Sequence, residues 1–306
     1  MLRLQGLIAA TFTPMTSDAA IDLARIGPMV DRLFEQGVAG LYVVGSTGEG
    51  PSLTSAERRN LATVLVQAAA GRLPVVVQVG HNSLAEAASL AAHAAEIGAD
   101  AVSATPPSYF RPDSLDDLIA CLRQITDAAP ELPFYYYHFP ARTGVSVDVN
   151  ALLQRGEELP SLRGVKFTSP RIDEFQSALA TAGDRYELLF GFDEMLLAAT
   201  AVGARGAVGS TYNFAAPLYR RLLAAVERGD FAEAARLQGR SVELVRVFSR
   251  RGGLAAQKAI MGLIGNDCGP PRLPLRSISN EEIARLHDDL QAIGFFDGDD
   301  FSNFGS

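Results

Sequence analysis

The chain has 306 residues, 48% of them apolar and 20% charged, with 28 glycines and 16 prolines, a make-up that supplies a globular protein with a large core. A net charge of -8 argues against a nucleic-acid partner, because displacing counterions from phosphates needs clustered Lys and Arg, and here they come only as pairs such as Arg58-Arg59, Arg220-Arg221 and Arg250-Arg251. Two cysteines, Cys121 and Cys268, exclude a disulfide framework and fit a reducing cytoplasm, while the opening MLRLQGLIAATFTPM lacks a signal-peptide pattern and no apolar stretch reaches membrane-spanning length.

Along the chain, short apolar or β-branched runs recur at 7–13, 40–45, 74–80, 100–106, 133–139, 164–168, 187–191 and 206–210. Ala/Leu-rich stretches of helical period separate them, as at 55–71 and 83–99. Thr54 with Glu57, and Ser83 with Glu86, have the spacing of a capping box at a helix start. Strands apolar along their whole length need both sheet faces covered, which predicts a parallel sheet, and eight βα repeats predict a (β/α)8 TIM barrel. A doubly wound sheet is the alternative, but no strand is followed by a GxGxxG fingerprint. Beyond residue 229 the pattern turns to helices alone, at 230–250, 252–265 and 280–294. The expectation is a catalytic barrel over 1–229 with a C-terminal helical extension of the same domain over 230–306, its polar last residues, 297–306, frayed.

Only two of the 27 basic residues are lysines, and Lys166 stands inside the apolar run GVKFT. Burial lowers the pKa of an ammonium and frees the neutral amine, which is what Schiff-base chemistry requires. The bland alternative is a lysine that snorkels from a strand end to a carboxylate. Reactive side chains at the C-terminal ends of other strands, the face on which barrel enzymes build their sites, favour the first reading. GSTGEG at 45–50 offers backbone N–H groups and the Ser46 and Thr47 hydroxyls to a carboxylate, or forms a plain turn. Tyr137 shares its strand face with Tyr135 and not with Tyr136 or His138, so an inward Tyr137 meets Lys166.

GFDE at 191–194 and GSTYN at 209–213 add Asp193, Glu194 and Ser210, suited to a polyhydroxylated substrate. The glycines after strands seven and eight also fit a phosphate site, and Asp193 and Glu194 also fit helix caps. His81, His93, His138 and His287 have no metal-ligand spacing, and His138 is expected to pack between barrel and helices. No metal or other cofactor enters the reading.

GSTGE at 45–49, a tyrosine before H-F-P at 138–140, and Lys166 about thirty residues on together resemble the pyruvate-dependent aldolase family of dihydrodipicolinate synthase and N-acetylneuraminate lyase, over nearly the whole chain. KFTS at 166–169, GFDE and GSTYN resemble the sugar-binding motifs of the lyase branch. The resemblance implies an imine on Lys166, Tyr137 as proton shuttle, Ser46 and Thr47 on the substrate carboxylate, and Tyr109 lent by a neighbouring subunit to a relay with Ser46 and Tyr137. It further implies that Thr168, Gly191, Asp193, Glu194, Gly209 and Ser210 hold the hydroxyls of a keto acid or sugar acid, in a homotetramer. Arg142, in PARTG at 140–144, departs from the lyases and resembles the arginine with which synthases bind a second substrate's carboxylate; it equally fits a subunit contact. Synthase chemistry, another keto-deoxy sugar acid aldolase or dehydratase, and a non-catalytic keto-acid-binding barrel are the alternatives.

Overall fold

A computed structural model describes residues 3–297 and 300–301. Eight strands, β1 Gly6–Ala10, β2 Gly40–Val43, β3 Val75–Gln78, β4 Ala101–Ala104, β5 Phe134–His138, β6 Leu162–Phe167, β7 Glu187–Phe190 and β8 Gly206–Gly209, pair in parallel in chain order, and β1 closes on β8. All eight apolar runs are strands of one closed barrel. Helices α1 Ile26–Glu35, α2 Ser55–Ala69, α3 Leu84–Glu96, α4 Leu115–Thr126, α5 Pro140–Thr143, α6 Val149–Gln154, α7 Ile172–Ala182, α8 Leu196–Ala201 and α9 Tyr212–Glu227 lie between and after the strands. They cover the outer face, which is why the strands are apolar on both sides.

The predicted helix starts are only partly right. At α2, Thr54 Oγ1 accepts from Glu57 N at 3.2 Å and the Glu57 carboxylate accepts from Thr54 N at 2.8 Å, so that capping box is complete. At α3, Ser83 Oγ accepts from Glu86 N, but the Ser83 N–H goes to His81 Nδ1 at 2.9 Å. His81 thus takes the donor that Glu86 was expected to receive, and the box is half formed.

Alternation along the strands sorts the side chains into two layers. Ile8, Ala10, Tyr42, Val76, Tyr135, Tyr137, Leu189 and Val208 pack together inside the barrel, while Leu7, Ala9, Leu41, Val43, Val75, Val77 and Tyr136 pack beneath the helices. One register shift decides what the site contains. Phe134 pairs with Leu162, but Tyr135 pairs with Gly164, so Arg163 is the extra residue and Tyr137 comes opposite Lys166. Without that shift Val165 would face Tyr137 and Lys166 would point to the wrong side of the strand. The displaced Arg163 is held by Glu187 at 3.0 Å.

After Gly229, α10 Phe231–Arg250, α11 Leu254–Leu263 and α12 Asn280–Ala292 follow, with α10 lying along α9. The expectation of a frayed tail fails where the structure can judge it. Phe301 is fully buried against Phe295, and Asp300 pairs with Arg236 at 2.7 Å and Arg221 at 3.1 Å. Polar composition misled here, because the arginines that neutralise Asp300 come from helices more than 60 residues upstream. Residues 298–299 and 302–306, the rest of that expectation, lie outside the described residues.

Candidate functional site

Lys166 is buried, 4% exposed, at the C-terminal end of β6. Its Nζ lies 3.7 Å from the centre of the Tyr42 ring and 4.0 Å from that of Tyr137. Burial pulls its pKa down to about 7, against the pull of the nearby Asp193 carboxylate. A lysine held this way is a half-neutral amine at neutral pH, with a lone pair available for a carbonyl carbon. The snorkelling alternative fails on the burial alone.

Tyr137 is equally buried, and its hydroxyl is pushed up to about 12 by burial, with Ser46 and Thr168 pulling it down through hydrogen bonding and Arg142 through its charge. Three side chains, Ser46 from the turn after β2, Thr168 from the end of β6 and Arg142 from α5, therefore gather around the Tyr137 phenol of β5. The Thr168 Oγ1 atom itself is buried beside this cluster without closing a well-aligned hydrogen bond. A buried hydroxyl left open in this way is costly unless something else satisfies it.

The turn after β2 carries Ser46 on its exposed side and Thr47 half-buried. It is reached through Val44, whose φ of 59° puts a β-branched residue in the left-handed region, at a cost of roughly 1–3 kcal/mol. Gly50 has no substitute there, since a Cβ would sit 2.0 Å from the Val44 carbonyl oxygen. Thr13 Oγ1 donates to the Gly48 carbonyl at 2.6 Å and closes the inner side of the turn.

Across the mouth, Asp193 is 5% exposed and its carboxylate accepts from the Thr211 amide at 2.9 Å and the Thr211 hydroxyl at 2.6 Å. Asp193 therefore caps no helix, α8 starting three residues later; it ties the β7 loop to the β8 loop. Burial raises its pKa, and Thr211 and Lys166 oppose the rise. Glu194 is half-buried, also raised by burial. Gly191 and Gly209 have a steric reason to be glycine: a Cβ at 191 would meet Thr168 Oγ1 at 2.0 Å, and one at 209 would meet Asp193 Oδ1 at 1.9 Å. Ser210 is half-buried at the start of the same loop.

Of the other expected residues, one stands apart from this cluster and one reaches it from the surface. Tyr109 is 79% exposed in the loop after β4, edge-on to Phe110 at 4.9 Å. Arg142 is exposed on α5, near enough to Tyr137 to act on its hydroxyl. His138 packs as expected, on the outer layer against Phe167 at 5.1 Å, and burial lowers it to about 4. No cluster of three or more metal-ligating side chains occurs among the described residues.

Sequence reasoning missed Tyr42 and Glu49. Tyr42 forms one wall of the lysine's pocket and donates to Ser103 Oγ at 3.0 Å. Its only signal was its parity in GLYVVG, where an aromatic reads as ordinary core. Glu49, in the turn itself, is buried on Lys258.

Comparison with known proteins places these features in a family. The model of the dihydrodipicolinate synthetase family matches residues 3–293. N-acetylneuraminate lyase A of Xenopus laevis is 46% identical over 280 residues, 90% of this chain and 92% of that protein. Among solved structures, N-acetylneuraminate lyase of Proteus mirabilis superposes with a TM-score of 0.93 at 39% identity, covering 96% of this chain and 100% of the other. A dihydrodipicolinate synthase of Bacillus anthracis superposes with a TM-score of 0.90 at 27% identity, over 95% and 99% of the two chains.

Proposed function

The chain belongs to the dihydrodipicolinate synthetase family, and on that premise we propose that it is an N-acetylneuraminate lyase, a class I aldolase that splits its sugar acid into pyruvate and N-acetylmannosamine. The observation that carries the chemistry is Lys166, a buried amine with a pKa of about 7 lying against two tyrosine rings at the barrel mouth.

In this reading the neutral Lys166 amine attacks the keto carbon of the open-chain substrate, and loss of water leaves a protonated imine. Ser46 and Thr47 hold the substrate carboxylate. Tyr137, protonated at neutral pH because burial keeps its pKa near 12, gives its proton to the departing hydroxyl and then receives one from the C4 hydroxyl. As that O–H bond breaks, the C3–C4 bond breaks with it, and its electron pair moves into the imine as an enamine. Protonation at C3 and hydrolysis release pyruvate and restore the amine. Thr168, Asp193, Glu194 and Ser210 hold sugar hydroxyls, and Gly191 and Gly209 leave space for Thr168 and Asp193.

The catalytic barrel is taken as residues 1–229 and the helical extension as 230–306 of the same domain. The protein is read as a cytoplasmic homotetramer in which Tyr109 of a neighbouring copy joins the relay. The exposed Tyr109–Phe110 pair supports that reading, and no described helix is long and apolar enough to cross a membrane.

Release of pyruvate from N-acetylneuraminate, followed with lactate dehydrogenase and NADH, tests the proposal. Arg142 supports a second reading, because a guanidinium at the mouth suits a substrate with a second carboxylate. Condensation of pyruvate with aspartate semialdehyde, with no turnover of N-acetylneuraminate, would select it.

A further inference from the structure

The second lysine of the chain is as buried as the first and takes no part in the chemistry above. Lys258, on α11, is 1% exposed. Its ammonium lies 2.9 Å from Glu49 Oε1 and donates to the carbonyls of Thr13 at 3.0 Å and Pro270 at 2.8 Å, so all three protons are used. The other oxygen of Glu49 accepts from the Arg272 amide at 2.6 Å. The Arg272 guanidinium in turn pairs with Glu57, the capping residue of α2, at 2.8 Å and donates to the Ser52 carbonyl at 3.2 Å.

These partners converge on the turn that contains Ser46 and Thr47. Glu49 closes that turn, donating its amide to the Ser46 carbonyl at 3.2 Å, and it does so with a φ of 56°, in the left-handed region. Two non-glycine residues in that region, Val44 and Glu49, bracket the turn. Such backbone persists only where the surroundings hold it, and here Lys258 and the Arg272 amide hold the Glu49 carboxylate. A buried ion pair is a weak source of net stability, but it fixes geometry, since neither charge has anywhere else to go.

We propose that Lys258 and Glu49 form a positioning strut: the pair holds the Ser46–Thr47 turn in the shape that receives the substrate carboxylate, and so makes the C-terminal helical segment part of substrate affinity. This rests on the reading of that turn as the carboxylate site. The pair touches no substrate and acts only through the turn.

The test is borohydride trapping of the Lys166 adduct by mass spectrometry over a range of pyruvate concentrations, in the wild type, K258M, E49Q and the charge-free double variant E49Q/K258M. The expected result is a half-saturating pyruvate concentration raised about tenfold or more in each folded variant, with trapping at saturation kept within a few-fold. L286A, which removes a buried leucine of α12 away from the turn, is the control: it lowers the melting temperature and leaves half-saturation unchanged. Half-saturation at the wild-type value in any folded pair variant overturns the strut, as does an equal rise in L286A. Amide exchange on the wild-type protein decides the matter if no pair variant folds: residues 45–50 are expected to open together with 254–263, and rapid independent exchange of 45–50 rejects the proposal. Absence of any adduct in the wild type is a different failure, that of the aldolase reading.

Discussion

The barrel mouth around Lys166 and the seam around Lys258 both exclude water from a lysine, yet they leave it in opposite conditions. At the seam a carboxylate and two carbonyls use every proton of the ammonium. At the mouth the walls are the faces of Tyr42 and Tyr137, and the nearest acid, Asp193, is already occupied by Thr211. Burial lowers both lysines, but only at the seam is a hydrogen-bonded carboxylate present to hold the pKa up. Satisfied hydrogen bonds thus separate a structural lysine from a reactive one, and burial by itself does not.

That contrast can be broken by experiment. The largest effect is expected from Lys166→Ala, which should lower kcat for pyruvate release by roughly 10⁴-fold or more, as loss of a covalent nucleophile does, while circular dichroism and the melting temperature stay close to wild type. Collapse of the fold would show that the mouth lysine is structural after all. Lys258→Met should do the reverse to stability, costing about 3–5 kcal/mol in urea unfolding because the Glu49 carboxylate is left buried and unpaired. A loss under about 1 kcal/mol would mean that water reaches Glu49 through the seam.

Tyr137→Phe should come next, slowing carbon-bond cleavage on the order of 100-fold while imine trapping at Lys166 continues. An unchanged kcat would move the proton shuttle to another group. The smallest effect is a pH dependence. A lowered pKa leaves the amine neutral above about 7, so the trapping rate at low pyruvate should level off at higher pH and fall about tenfold per unit below 7, as protonation removes the nucleophile. A flat profile down to pH 5 would contradict the mouth's effect on Lys166.

Much of this was visible in the chain because its signals are local. Strands buried on both faces announce themselves as unbroken apolar runs, and the parity of Tyr135, Tyr136 and Tyr137 sorted inner from outer side chains before any contact was seen. What the sequence concealed is non-local. The register shift at Arg163, which puts Lys166 rather than Val165 opposite Tyr137, leaves an extra residue whose ionic partner, Glu187, is on the next strand. Glu49 and Lys258 are 209 positions apart, and no periodicity relates them. Phe301 read as part of a polar tail because the aromatic cluster that receives it lies on other elements. Gly191 and Gly209 were legible as loop glycines, but the side chains that need their missing Cβ atoms were not.

With both lysines sealed, the side-chain positive charge on the surface is almost wholly guanidinium. Among side-chain amines, a reagent small enough to enter the mouth therefore has Lys166 as its target, since the Lys258 ammonium is walled in and fully engaged. For chemists, the reactive side-chain amine of this molecule is close to singly addressable without mutation, whether for titrating functional sites or attaching a reporter, and pyruvate would protect it.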